Sequence, residues 1–127
     1  MRFLLDTHVW LWWITEPERL PGRMVAALES PANRPLLSVA SSWEIAVKYA
    51  IGKLPLPESP ETFVPTRLKR DDIETLPIEH RHALHVASLP AHHGDPFDRL
   101  LIAQARLENI PVATIDPKFQ AYEVRLL

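Results

Sequence analysis

The sequence predicts an α/β fold, with helices layered on a short, mostly parallel central sheet. Two observations predict it. Short apolar runs of strand length alternate with segments of helical period, and two of those runs, near the two ends of the chain, stop on a single aspartate, Asp6 and Asp116. A third, the absence of any repeat, low-complexity tract or linker, makes 1–127 one domain, a length that supports a core of its own.

Met1–Leu5 reads as a buried strand. Val9–Ile14 (VWLWWI) is apolar on nearly every side and opens a helix, with Thr7 as its cap. Pro21-Gly22 breaks the chain before a short helix over Arg23–Ser30. Pro31–Pro35 is a loop, and Leu36–Val39 a second strand. Ser41 or Ser42 then caps the clearest helix, whose apolar stripe runs through Trp43, Ala46, Val47, Ala50 and Ile51 until Gly52 stops it. Lys53–Pro60 is extended and proline-rich. A polar helix covers Glu61–Arg70, and a short strand lies near Glu74–Leu76. Glu79–Ser88 is helical and ends before Pro90. Asp95-Pro96 starts the helix Phe97–Asn109, Ile110–Ile115 is a strand, and Glu123–Leu127 can add an edge strand.

At 46% hydrophobic and 24% charged residues, the composition is that of a soluble globular protein. No apolar run approaches the roughly 20 residues needed to cross a bilayer, and Asp6 interrupts the N-terminal stretch too early for a signal peptide. There is no cysteine, which excludes disulfides and thiolate metal sites and fits a reducing cytoplasm. The net charge is −2. A nucleic-acid partner would therefore have to be held by local basic patches or by metal ions rather than by a general basic excess.

Four acids stand out by position. Asp6 and Asp116 sit just past strand ends, where open α/β sheets bind ligands. Glu44 and Asp98 lie in the first turns of helices that start from the same edge. Each has a plain structural role available. Asp6 is a turn or cap residue; Glu44 and Lys48 form an i, i+4 pair worth ~0.3–0.5 kcal/mol; Asp95 caps, with Asp98 complementing the helix dipole; Asp116 starts a turn before Pro117. Brought to one edge, however, carboxylates about 4 Å apart repel by roughly 4 kcal/mol at an effective dielectric near 20. A hard cation would relieve this, and an all-oxygen site suits Mg²⁺ or Mn²⁺. Such a site points to phosphate chemistry.

The segments "LLDTHVWLW", "SSWEIAVK", "HHGDPFDRLLIAQA" and "ATID", in that order, resemble the PIN-domain ribonucleases, specifically the VapC toxins of toxin–antitoxin pairs. The resemblance runs from Met1 to about Phe119. It implies an α/β/α sandwich in three layers and a metal-dependent endoribonuclease that hydrolyses phosphodiester bonds by metal-activated water, leaving 5′-phosphate and 3′-hydroxyl ends. It also implies a cognate antitoxin and a dimeric toxin, joined in a toxin–antitoxin hetero-oligomer. Carried onto this chain, the acidic quartet is Asp6, Glu44, Asp98 and Asp116. Asp6 and Asp98 would be the main ligands of the Mg²⁺ (or Mn²⁺), with Glu44 and Asp116 acting directly or through water. Thr114 would orient Asp116, Asp95 would be a cap before it is a supporting group, and His93 would buttress the site.

Three rivals can be stated. His80, His82, His85, His92 and His93 invite a zinc hydrolase, yet no "HExxH" occurs. A Mg-dependent phosphoacceptor or phosphatase-like domain would also use a strand-end Asp, but position 8 is His where the dehalogenase-like class wants an acid. A non-catalytic interaction module would make use of Trp10, Trp12 and Trp13, of which at least one should lie near the surface as a dimer or antitoxin contact. For an RNA substrate the basic candidates are Lys48, Arg99 and the cluster Arg67, Lys69, Arg70.

Overall fold

The computed structural model describes residues 1–127. Strands β1 (Arg2–Leu5), β2 (Arg34–Ser38), β3 (Glu74–Leu76) and β4 (Val112–Ala113) form one sheet in the order β3-β2-β1-β4, with every pairing parallel. Leu4 lies opposite Leu36 on one side and Val112 on the other. The helices are α1 (Thr7–Thr15), α2 (Gly22–Glu29), α3 (Val39–Ala50), α4 (Pro60–Arg70), α5 (His80–His85) and α6 (Pro96–Glu108).

The period-two alternation of the strands builds two cores. Phe3, Leu5 and Leu37 point to one face and pack with Val9, Trp10, Met24 and Phe63 from α1, α2 and α4. Leu4, Leu36 and Val112 point to the other and pack with Leu101, Ile102 and Ala105 of α6 and with Phe119 and Tyr122 of the tail. A sheet buried on both faces must present continuous apolar runs, and "FLL" and "LL" do so. The three-layer α/β/α arrangement follows.

The chain steps outward from β1 to β2 and β3, then crosses back to place β4 on the other flank of β1. The strand order therefore reverses between β1 and β4. The crevice beyond their carboxyl ends is where such a sheet leaves room for a ligand, and Asp6 and Thr114 are the first residues past those ends.

Several elements differ from expectation. β2 starts at Arg34 and ends at Ser38, and Val39 already belongs to α3. The cap of α3 is Ser38, whose Oγ accepts from the Ala40 N–H at 2.9 Å, and not Ser41 or Ser42. Thr7 is the first residue of α1 rather than its cap, and Asp6 occupies the cap position without making a side-chain cap bond. Helix α5 is cut to six residues and continues as a 3₁₀ turn, Val86–Ser88. Helix α6 stops because Asn109 takes the left-handed conformation at φ 56°. The tail adds no strand, only a single parallel bridge between Leu126 and Val112.

The largest difference concerns α3. Its buried face is Ala40, Ser41, Glu44 and Ile45, whereas the predicted stripe of Trp43, Ala46, Val47, Ala50 and Ile51 is exposed, with Trp43 at 52% and Ile51 at 61%. Helical period identifies a stripe but not the side on which the sheet lies. Of the tryptophans in α1, Trp10 is fully buried against Phe63, and Trp12 and Trp13 are half-buried at the edge of the same core. No helix is long and apolar enough to cross a membrane.

Candidate functional site

The carboxylates gather at the reversal of strand order. The backbone fixes Asp6 first: its N–H donates to the Ala113 carbonyl at 3.0 Å, continuing the β1–β4 ladder by one bond. The Thr114 hydroxyl then donates to Asp6 Oδ2 at 2.8 Å and accepts from the Asp116 N–H at 3.0 Å. Thr114 thus ties the two strand-end aspartates together. The expectation that it orients Asp116 holds through that residue's backbone; its side-chain partner is Asp6. Asp116 Oδ1 accepts from the Lys118 N–H at 2.9 Å, capping the 3₁₀ turn Pro117–Ala121.

Glu44 is 2% exposed. One carboxylate oxygen pairs with Lys48, one turn along α3, and the other, Oε1, is buried with no hydrogen-bond partner. Asp98 enters from the first turn of α6. That turn is held by Asp95, whose Oδ1 accepts from the Phe97 and Asp98 N–H groups at 2.9 and 3.0 Å. Asp95 is therefore a cap, as its position suggested. His93 lies between Asp98 and Tyr122, with Nε2 3.4 Å from Asp98 Oδ2 and Nδ1 2.7 Å from the Tyr122 hydroxyl. The residue expected to buttress the site does touch it.

The acids feel one another. Burial, then repulsion by Glu44 and Asp116, pushes the Asp6 pKa up to about 6 against the hydrogen bond from Thr114. Burial, then the charges of Asp95, Asp6 and Glu44, pushes Asp98 up to about 7. Burial opposes the Lys48 ammonium, but Glu44, backed by Asp95 and Asp98, raises its pKa above the ordinary lysine value. One ammonium against Asp6, Glu44, Asp98 and Asp116 leaves the cluster short of positive charge. An all-oxygen donor set, two carboxyls held back from ionising and a buried carboxylate oxygen without a donor fit a hard divalent cation.

Arg99 is a correction. Its guanidinium donates to the carbonyls of Pro90 at 2.7 Å, Val86 at 3.2 Å and Leu89 at 3.4 Å, and to the Tyr122 hydroxyl at 3.2 Å. Those bonds use its donors to hold the 86–90 loop, so it has no free fork for a substrate phosphate. Arg67 and Arg70 are likewise committed, to Glu58 and Asp71. Lys48 lines a cleft of about 250 Å³ between α1 and α3, with Glu44 on its wall and Lys53 at its edge. Sequence reasoning passed over Lys53, because nothing in the extended segment after Gly52 marks it as facing α1.

The histidines do not converge on a zinc site. Glu79, His82 and Glu108 do bring one ligand atom each within 4.8 Å of one another. The Glu79 N–H, however, donates to His82 Nδ1 at 3.0 Å, and the Gln104 amide approaches the same nitrogen at 3.4 Å. His82 Nδ1 is thus occupied by these contacts, and Arg81 already pairs with both carboxylates.

Comparison with known proteins bears on the family and the fold. The sequence model of the PIN domain family matches residues 3–124. A curated relative, Ribonuclease VapC16 of Mycobacterium tuberculosis, is 43% identical over 60 residues, which is 47% of this chain and 43% of that protein. The match thus spans under half the relative's length. Among solved structures, VapBC2 from Rickettsia felis bound to a DNA fragment from their promoter superposes with a TM-score of 0.70 at 18% identity, covering 100% of this chain and 97% of that one. FitAcB from Neisseria gonorrhoeae gives 0.64 at 25% identity, covering 100% and 96%.

Proposed function

The chain belongs to the PIN domain family, and from that premise we propose that it is a divalent-metal-dependent endoribonuclease, the toxin of a toxin–antitoxin pair. The observation that carries the reading is the buried, unpartnered Glu44 Oε1 inside a cluster of carboxyls whose ionisation is held back. A buried acceptor left without a donor costs about 1–3 kcal/mol, and a cation supplies what it lacks. The name of the curated relative, a ribonuclease, supports RNA as the substrate.

Asp6 and Asp98 would hold the ion, with Glu44 and Asp116 completing its surroundings directly or through water. A bound Mg²⁺ or Mn²⁺ would offset charge on the phosphoryl oxygens and lower the pKa of water. Thr114 fixes the Asp6 carboxylate from one side, and His93 with the Asp95 cap fixes Asp98 from the other. Lys48 pairs with Glu44 in its buried position. Lys48 and Lys53, rather than Arg99, would receive the phosphates of the RNA backbone. The exposed stripe of α3 supports a protein partner, whether the antitoxin or a second copy of this chain, because apolar helix faces of this kind mark interaction sites.

The test is direct. The purified chain, free of any copurifying protein, should cut end-labelled RNA in Mg²⁺ or Mn²⁺, stop in EDTA, and leave 5′-phosphate and 3′-hydroxyl ends. Asp6→Asn and Asp98→Asn should each abolish cutting. Chelation-resistant cleavage that leaves a cyclic phosphate would refute the carboxylate mechanism.

A further inference from the structure

A second cleft, of about 380 Å³, opens beside the carboxylates on the other side of His8 from the Lys48–Lys53 cleft. Asp6, His8, Trp12, Ile115, Asp116 and Pro117 line it. Its walls are of two kinds. Asp6 and Asp116 form an edge shared with the acid cluster, whereas Trp12, Ile115 and Pro117 offer flat or apolar surface. The indole of Trp12 is half-buried against the core, with the Arg19 guanidinium over its ring at 4.4 Å and the His8 ring at 5.8 Å. Arg19 and His8 pack against the indole, and another part of its surface borders the cleft.

Phosphate chemistry alone has no use for such a surface. A phosphate would gain nothing from an indole or from the side chains of Ile115 and Pro117. A nucleotide has two unlike halves, a charged backbone and a flat apolar base, and the two clefts differ in the same sense. The lysine-edged cleft suits the first and the tryptophan-walled cleft suits the second.

We propose that the Trp12 cleft is a base-binding subsite, in which the base of one nucleotide flanking the scissile phosphate is splayed out of a single strand and packed against Trp12, Ile115 and Pro117. The proposal rests on the ribonuclease reading and adds to it a demand for unpaired RNA, since a base inside a duplex is not free to turn outward. Contact with an indole tolerates every base, so Trp12 holds an unpaired base without choosing one sequence over another. Trp12 acts on binding and positioning, not on the reacting atoms.

A protein–RNA double-mutant cycle tests this. Wild type and Trp12→Ala are each given a short single-stranded oligoribonucleotide and versions lacking one base on either side of the cut. Removing the right base, or the indole, should each weaken binding in Mg²⁺ and raise KM by about 5- to 100-fold with kcat little changed, and the two together should cost no more than either alone. Trp12→Phe should keep most of the affinity. Ile115→Ala, at a position 38% exposed and so harmless to folding, should show a smaller loss of the same non-additive kind and stands in if Trp12→Ala does not fold. Additive losses, a fall in kcat at unchanged KM, or a Trp12→Ala protein that binds RNA normally would overturn the subsite. RNA that is bound, with the coupling intact, but never cut would overturn the nuclease reading and leave the base contact standing.

Discussion

Replacing Asp6 with Asn should stabilise the metal-free protein, and the gain should depend on pH in a defined way. The folded-state pKa of Asp6 is near 6 against an ordinary 3.8. At about 1.4 kcal/mol per pH unit, keeping this buried carboxylate ionised costs the fold about 3 kcal/mol. The sign follows from a pKa raised on folding. At pH 4 and below little of the penalty remains, about 0.5 kcal/mol or less, because the group is then protonated in the fold and about half-protonated or more when unfolded. It grows as pH rises from 4 to 6 and is complete above about 7. Asn removes the charge and keeps an oxygen that can accept from the Thr114 hydroxyl. In EDTA at pH 7.5, thermal unfolding of Asp6→Asn should therefore lie about 10 °C above wild type, at roughly 3–5 °C per kcal/mol for a chain of this size. At pH 4 the two should melt nearly together. Added Mg²⁺ should raise only the wild type, because a ligand of the folded state stabilises by mass action. A difference that is the same at every pH, or a variant less stable than wild type at pH 7.5, would refute the reasoning.

Other outcomes follow from the same geometry. Lys48→Ala leaves the buried Glu44 carboxyl without its partner and should cost about 3 kcal/mol at neutral pH by chemical denaturation, with Glu44→Gln in the same chain recovering most of it. Arg99→Ala should lower stability by about 2 kcal/mol and open the 86–90 loop to proteolysis, with KM for RNA little changed, because its bonds go to loop carbonyls and Tyr122. Cleavage at low Mg²⁺ should fall as pH drops below about 7, where Asp98 takes up its proton, and higher Mg²⁺ should move that midpoint to more acid pH. RNA binding should show a shallow salt dependence, since the site offers two lysines rather than an extended basic face.

Much of the site can be read from the sequence because strand ends and helix starts carry their own signals. Asp6 and Asp116 each close an apolar run, and Asp95-Pro96 announces the turn that delivers Asp98. Other features depend on contacts distant in the chain. The Thr114–Asp6 bond joins residues 108 positions apart, and no local pattern reports it. Arg99 next to Asp98 looks like a substrate ligand until the 86–90 loop is seen folded under it. The apolar stripe of α3 has the period of a core face, but the stripe that faces the neighbouring helices is the one that carries Ser41 and Glu44. Ser41 is accommodated by the Thr7 hydroxyl at 2.8 Å and Glu44 by Lys48. Partners of that kind turn polar side chains into interior ones.

The strand order has a consequence for synthesis. Strand β1 is made well before β4, its partner on one flank, and the Thr114–Asp6 bond closes over that whole interval. At about 5–20 residues per second, on the order of 5–20 s separate the making of Asp6 from that of Asp116. Throughout that interval a growing chain has no completed carboxylate cluster to hold an ion. A carboxylate site built in this order is incomplete until the strand that leads to Asp116 has been made. The same order leaves β1 waiting with one edge unpaired, so folding should be slow and governed by long-range closure.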